Sequence, residues 1–364
     1  MKLPSYQELS KEQDKINTLP LDGSFLVVGP PGTGKTVMAL YRAQMLAKKR
    51  EEFWVLMHSR LLKQYTEDAA DELDIRGEVN TFHRWIFGFW YEQYGKKYPS
   101  LGRFQPDWVE MLSMVNRNPP PKASLPHLIV DEGQDFAKEF FQVARYLTPA
   151  LTVFADENQR LAEHNSRIQE IADYGLLDSV HNLTRNYRNT REIAALAAYF
   201  YTGLKTGIAA PPDRSGDMPV LQKVANAASA AEFIAKYEKS RTNKDIGVLV
   251  PNKHTLFQLA GLLKGQTKRP AEVFVGGKGA RAEQLSFGEP GIKLICYQSA
   301  KGLEFDTVFL PELQNYKQDP RVPDFKMMMY VLISRARHNL FMMYSGDGIP
   351  PVVEALPRQL LEVK

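Results

Sequence analysis

The feature that most constrains this chain is the run Gly29-Pro30-Pro31-Gly32-Thr33-Gly34-Lys35-Thr36. It matches the whole G-x-x-x-x-G-K-[ST] pattern and lies between an apolar strand candidate, Phe25 to Val28, and a helical pattern starting near Val37. Glycines let backbone N–H groups turn inward at a helix N-terminus, where they cradle anionic phosphates. Gly29, Gly32, Thr33 and Gly34 are the expected cradle, Lys35 the residue reaching the outer phosphates, and the Thr36 hydroxyl a ligand for Mg2+. Without its flanks the run would be a Gly/Pro-rich loop. With strand and helix both in place, it commits this part of the chain to a parallel α/β sheet holding a nucleoside triphosphate.

Leu128-Ile129-Val130-Asp131-Glu132 is an apolar strand that ends in two carboxylates. Phosphoryl transfer needs a positioned metal and an oriented nucleophile, and the pair supplies both. Asp131 is expected to hold Mg2+ through its water shell, and Glu132 to polarise the attacking water. Taken alone, the same residues would read as an acidic turn.

Short apolar runs at Phe25 to Val28, Trp54 to Met57, Leu128 to Val130 and Leu151 to Phe154 each precede a polar turn and a helical stretch. The pattern restarts after Asn182, with strand candidates at Ile246 to Val250, Ile292 to Tyr297, Thr307 to Leu310 and Leu340 to Tyr344. The expected fold class is therefore α/β, in two domains over 1–180 and 181–364, each a parallel sheet flanked by helices. An aromatic-rich segment over about 86–125, with Phe87, Phe89, Trp90, Tyr91, Tyr94 and Tyr98, reads as a short insertion closed by Pro119, Pro120 and Pro121.

With 364 residues, 44% of them hydrophobic, the chain is long enough for two cores and is not a disordered one. Lys and Arg number 46 against 42 Asp and Glu, so a nucleic-acid surface has to be a local groove and not a globally basic face. The single cysteine, Cys296, excludes an internal disulfide framework. Nothing before Gly23 has the apolar core of a signal peptide, and no apolar run is long enough to span a bilayer, so the expected setting is the cytoplasm with no membrane partner.

Asp131-Glu132-Gly133-Gln134-Asp135 resembles the DEAQD motif of superfamily 1 helicases of the UvrD/Rep type, with Gly133 replacing the usual alanine. Further motifs resemble that family in the same order. They are Leu9 to Gln13, Val153 to Gln159, Leu183 to Arg188, Gln298 to Asp306 and Tyr330 to Arg337. The resemblance implies two RecA-like domains with ATP in the cleft between them. It further implies that Gln13 reads the adenine edge, although Leu9 to Gln13 also suits a solvated helix. By the same resemblance Gln159 senses the terminal phosphate, and Gly302 and Glu304 lie near the triphosphate and the ribose. Arg188 and Arg335 act at the terminal phosphate, where a planar, permanently charged guanidinium suits charge spread over phosphoryl oxygens.

The same resemblance implies a track of single-stranded DNA, with RNA as the other candidate, contacted by His58, Ser59, Thr81, Phe82, His83 and Gln298. Phe82 and Trp85, at helical spacing, also suit core positions. Three departures bear on mechanical function. Ala162 and His164 stand where the family carries base-stacking aromatics, Cys296 and Gln298 replace a threonine and a histidine, and the segments between motifs are too short for the large accessory domains. Two readings follow: an ATP-driven motor on single-stranded DNA, moving 3′ to 5′ by family resemblance, or an ATPase switch controlling a partner protein such as a nuclease or effector.

Overall fold

The computed structural model describes residues 3–102, 105–121, 125–159, 166–204, 206–276 and 285–364. The chain divides into two compact units, Met1–Thr184 with Lys205–Ala209, and Arg185–Leu204 with Ala210–Lys364. It therefore leaves the first unit at Thr184 and returns to it briefly before leaving again. No shift in composition marks that return.

The first unit is built on β1 (Phe25–Val28), β2 (Phe53–Met57) and β3 (Val79–Thr81), then a two-stranded antiparallel hairpin, β4 (Ser100–Gly102) and β5 (Gln105–Pro106). After these come β6 (His127–Val130), β7 (Leu151–Ala155) and β8 (Ser179–Asn182). Six of these strands form one sheet in the order β3-β2-β6-β7-β1-β8, every neighbour parallel. β1 and β7 are buried along their whole length, as apolar strands covered on both faces must be. The helices are α1 (Lys11–Asn17), α2 (Lys35–Lys48), α3 (Arg60–Glu72), α4 (Phe82–Tyr94), α5 (Trp108–Arg117), α6 (Lys138–Ala144) and α7 (Ile168–Gly175). Three of the starts are capped by a side chain: Ser10 accepts from Gln13 N at 3.2 Å, Ser59 from Leu62 N at 3.0 Å and Asp107 from Glu110 N at 3.1 Å.

The aromatic-rich segment does not stand apart as an appendage. Trp85, Ile86, Phe89 and Trp90 of α4 and Met111 and Val115 of α5 are buried in one cluster with Phe136, Phe140 and Phe141. Burial of this aromatic surface contributes to the stability of the first unit.

The second unit carries α8 (Arg191–Tyr199), β9 (Val220–Lys223), α9 (Ala227–Ser240), β10 (Asp245–Val250), α10 (Lys253–Leu263), β11 (Glu272–Phe274) and β12 (Gly291–Cys296). It continues through β13 (Phe305–Leu310), α11 (Pro323–Ile333), β14 (Ala336–Tyr344), α12 (Pro351–Glu354) and β15 (Glu362–Val363). Its sheet runs β11-β12-β10-β13-β14-β9-β15 and is again parallel throughout. Its core is aliphatic, with Val248, Val250, Ile292 and Leu294 under Ile234, Leu256 and Leu259.

The two units share one local construction. After β6 comes Asp131, then Glu132 at φ 52°; after β13 comes Pro311, then Glu312 at φ 57°. Both glutamates are 5% exposed and both open a 3-10 turn. Gln134 Nε2 donates to Glu132 Oε2 at 2.6 Å, and Gln314 Nε2 to Glu312 Oε2 at 2.9 Å. The other end of each amide accepts from the residue just past the neighbouring parallel strand, Asp156 N at 2.8 Å and Ser345 N at 3.1 Å. The left-handed glutamate, the amide lock and the strand pairing all repeat, but the aspartate is replaced by proline.

Candidate nucleotide-binding site

β6, β7 and β1 are neighbours in the first sheet, so the segments leaving their carboxyl ends converge: Gly29 to Thr36 after β1, Asp131 and Glu132 after β6, Asp156 to Gln159 after β7. The carboxyl edge of a parallel sheet is where such folds receive ligands. Gly34, at φ 89°, turns the chain into α2, and a Cβ there would lie 2.5 Å from Gln13 Nε2. The positive φ is what favours glycine there.

Lys35, 6% exposed, folds back over its own loop, donating to Gly29 O at 2.7 Å and Pro30 O at 3.2 Å, with Asp156 Oδ2 at 3.6 Å. The ammonium is thus held by carbonyls of its own loop and by the Asp156 carboxylate. Thr33 Oγ1 donates to Pro30 O at 2.9 Å and braces the loop.

Thr36 Oγ1 donates to Asp131 Oδ2 at 2.8 Å. A hydroxyl and a carboxylate side by side are hard oxygen donors of the kind Mg2+ takes, together with phosphate oxygens and water, so these residues fit that ion. Asp131 is fully buried, and burial first, then the charge of Glu132, pushes its carboxyl above the usual carboxylate range against the pull of Thr36 and Lys35. A divalent cation at this carboxylate would reverse that balance.

Glu132 follows directly, held at its carboxylate by Gln134. Gln134 and Asp156 belong to this constellation although neither was singled out from the sequence. The signals were present, Gln134 inside the Asp131 to Asp135 run and Asp156 three residues before Gln159. Gln13 lies against the same loop, with Nε2 donating to Thr33 O at 3.1 Å and Oε1 accepting from Ser10 N at 3.0 Å. Gln159 ends the turn Glu157–Gln159. Ala162 and His164 lie outside the described residues.

In the second unit, Gly302 (φ 77°) leads into Glu304, and the two arginines flank this segment. Arg335, 1% exposed, donates to Leu303 O at 3.1 Å, Val331 O at 2.9 Å and Ser334 Oγ at 3.1 Å. Arg188 pairs through Nε with Glu304, whose second oxygen is 3.9 Å from Arg337 Nε. The structure thus gathers Gly302, Glu304, Arg188 and Arg335 within one unit.

The nucleic-acid candidates are distributed less evenly. His58, exposed, follows β2 and lies 4.0 Å from Asp135 Oδ2. Ser59 caps α3. Thr81 precedes α4, and burial, then His58, lowers the basicity of His83, favouring its neutral form. Phe82 is 6% exposed and packed edge-on against Phe136 and Phe140, so its ring offers no free face for a base. Gln298 is exposed in the turn after β12, and Cys296 is buried at that strand's end.

A family model described as an AAA domain matches residues 13–164, and one described as a UvrD-like helicase C-terminal domain matches residues 278–347. The two fall on the two halves of the motif series, in the order the resemblance requires. Over residues 278–347 the chain is similar to UvrD-like helicases. A protein of Acanthamoeba polyphaga mimivirus that carries the name ATP-dependent DNA helicase R568 is 26% identical to this chain over 274 residues, 64% of the chain and 38% of the relative. The chain thus spans well under half of that relative's length. A solved structure, the C-terminal domain of a possible DNA helicase from Lactobacillus plantarum WCFS1, aligns with 19% identity and a TM-score of 0.37 over 49% of this chain and 98% of its own. Among the described residues, no helix is long and apolar enough to cross a membrane.

Proposed function

We propose that this UvrD-like protein hydrolyses ATP with Mg2+ and uses the cycle to move on single-stranded DNA, in the 3′ to 5′ direction. The observation that carries the proposal is the Thr36 hydroxyl bound to Asp131 at 2.8 Å, with Lys35 3.6 Å from Asp156 on the same sheet edge. Those four residues are what a Mg2+-bound triphosphate needs for phosphoryl transfer. Glu132 orients the water, Gln159 senses the terminal phosphate, and Arg188 and Arg335 neutralise charge that develops there. Gln13 and Glu304 read base and ribose. His58, Ser59, Thr81, His83 and Gln298 bind the strand through phosphates. The reading places the protein in the cytoplasm.

The burial of Phe82 favours a second reading, an ATPase switch acting on a partner protein such as a nuclease, because a stacking aromatic contributes about 1–3 kcal/mol per base to holding a single strand. Steady-state ATP hydrolysis with and without single-stranded DNA or RNA, with Lys35→Ala as blank, separates the two. Strong stimulation by DNA supports the motor. Hydrolysis that is indifferent to nucleic acid, with no binding at low salt, supports the switch.

A further inference from the structure

Two short runs of the second unit are basic and contain neither an acidic nor an apolar residue: Lys239-Ser240-Arg241-Thr242-Asn243-Lys244 and Lys264-Gly265-Gln266-Thr267-Lys268-Arg269. The first spans the end of α9 and leads into β10, and the second leaves the end of α10 and leads towards β11. Each helix carries the chain from the end of one parallel strand to the start of the next, so both runs are delivered to the edge of the sheet where β10, β11 and β12 begin. One residue joins them. Glu238, 1% exposed, accepts from Arg241 N at its carbonyl, 3.0 Å away, and from Lys268 N at its carboxylate, 2.9 Å away. Lys244 O accepts in turn from Gly291 N at 3.1 Å, at the first residue of β12.

Lys239, Arg241, Lys264, Lys268 and Arg269 are exposed, and Lys244 is half-buried. Among the described residues, only Arg269 of these is in an ion pair, with Glu289 at 3.7 Å. The other cations stand together unneutralised, a self-repulsion that a bound anion would relieve. Towards β13 the positive surface stops. There Asp245 accepts from Lys293 Nζ at 2.6 Å, and Asp245 N donates to Asp306 Oδ2 at 3.2 Å.

A protein partner is held by aromatic and aliphatic anchors at the middle of its contact, and these runs offer none. A single strand is held by stacked aromatics as well as through its phosphates. The ring beside the runs, Tyr237, is half-buried with the Arg241 guanidinium over it at 6.0 Å. What remains is recognition of phosphates alone, by ammonium, guanidinium, hydroxyl and amide donors that make no choice of sequence. A double strand presents one negative charge per about 1.7 Å of its axis to such a surface. The candidate strand contact of this unit lies elsewhere. Gln298 follows the far end of β12, whose six residues put roughly 20 Å between the two edges of the sheet.

We infer that this edge of the second unit is a docking surface for the phosphate backbone of a nucleic-acid duplex, separate from the candidate single-strand contacts. It goes beyond the function proposed above, since it needs neither ATP hydrolysis nor Gln298.

The test uses the full chain without nucleotide. The probes are a short blunt DNA duplex, a single strand of equal length and poly-glutamate, each titrated at several salt concentrations. In the variant combining Lys239→Ala, Arg241→Ala, Lys264→Ala and Lys268→Ala, duplex affinity at low salt is expected to fall about 10- to 100-fold, and the slope of log affinity against log salt to shrink by about 3 to 4. Single-strand affinity is expected to change less than about twofold, with basal ATP hydrolysis and Tm as in wild type. Lys239→Arg, Lys264→Arg and Lys268→Arg together should retain duplex binding, since charge carries it. An unchanged duplex affinity and slope in the alanine variant, or an equal loss for duplex and single strand, overturns the inference. Poly-glutamate that binds more tightly than the duplex and is lost with the same residues overturns it as well, and assigns the edge to an acidic protein partner. A wild-type chain that binds single strand but no duplex overturns it and leaves the function proposed above standing. A wild-type chain that binds duplex through these residues, but neither binds single strand nor hydrolyses ATP, overturns that function and leaves the inference.

Discussion

The Thr36 hydroxyl donates to Asp131 Oδ2 across 95 residues of sequence, and that one bond of 2.8 Å joins the phosphate loop to the carboxylate strand. Thr36→Val keeps the shape and removes the oxygen. Phosphate release is expected to fall at least about 100-fold, because a ligand of the metal that neutralises charge developing in the transition state is lost. Hydrolysis at the wild-type rate in Thr36→Val would place the metal elsewhere.

The same carboxyl predicts a pH dependence. Burial and then Glu132 hold Asp131 protonated to higher pH than an ordinary aspartate. Mg2+ needs the carboxylate, so binding Mg·ATP must release the proton wherever it is still held, and affinity falls as pH is lowered by up to about tenfold per unit in that range. Calorimetry in buffers of different ionisation enthalpy should show the proton leaving. Binding that neither releases a proton nor varies between pH 6 and 8 would count against Asp131 as the ligand.

Gln134 spans Glu132 and the backbone of Asp156, with one amide end on each. Gln134→Ala leaves the carboxylate in place without its lock, so kcat should drop about tenfold while ATP-analogue affinity changes little. Single-turnover measurements would show the loss in the chemical step. A loss confined to binding would assign Gln134 a different role.

Gly133 stands where the family has alanine, and its surroundings give the reason. A Cβ there would sit 2.4 Å from Val153 Cγ1, inside the packed neighbouring strand β7. Gly133→Ala should therefore destabilise the first unit by about 1–3 kcal/mol, as overpacking does, although it restores the family residue. Thermal unfolding measures this directly, and a Tm equal to wild type would show that Val153 moves aside freely.

Phe82 and His58 were grouped as contacts to one strand, and their burial separates them. Phe82→Ala should cost about 3–5 kcal/mol of stability as a core truncation. His58→Ala, at an exposed position, should leave Tm within a degree or two and weaken binding to single-stranded DNA in a salt-dependent way. Equal Tm losses for the two variants would contradict the difference in packing.

The parallel sheets were legible because β1 is wholly apolar and β6, β7 and β12 are apolar apart from His127, Thr152 and Lys293, and the nucleotide site because Lys35, Thr36 and Asp131 sit in contiguous motifs whose chemistry depends on order alone. Other features depend on what lies opposite in space. Nothing in the sequence around Phe82 says that Phe136 and Phe140 will cover its faces. Nothing near Glu12 says that its carboxylate will accept from the N–H and hydroxyl of Thr184, 172 residues away. The fold-back of Lys35 onto Gly29 O was equally hidden, since it belongs to the conformation of the loop and not to its composition.

Pro311 takes the place in the second unit that Asp131 takes in the first, although the glutamate and amide around it are repeated almost atom for atom. A proline brings neither a carboxylate nor an N–H, so the repeated turn keeps its shape and its glutamate but lacks the carboxylate that Thr36 meets in the first unit. On the ATPase reading, the asymmetry predicts a stoichiometry of one Mg·ATP per chain.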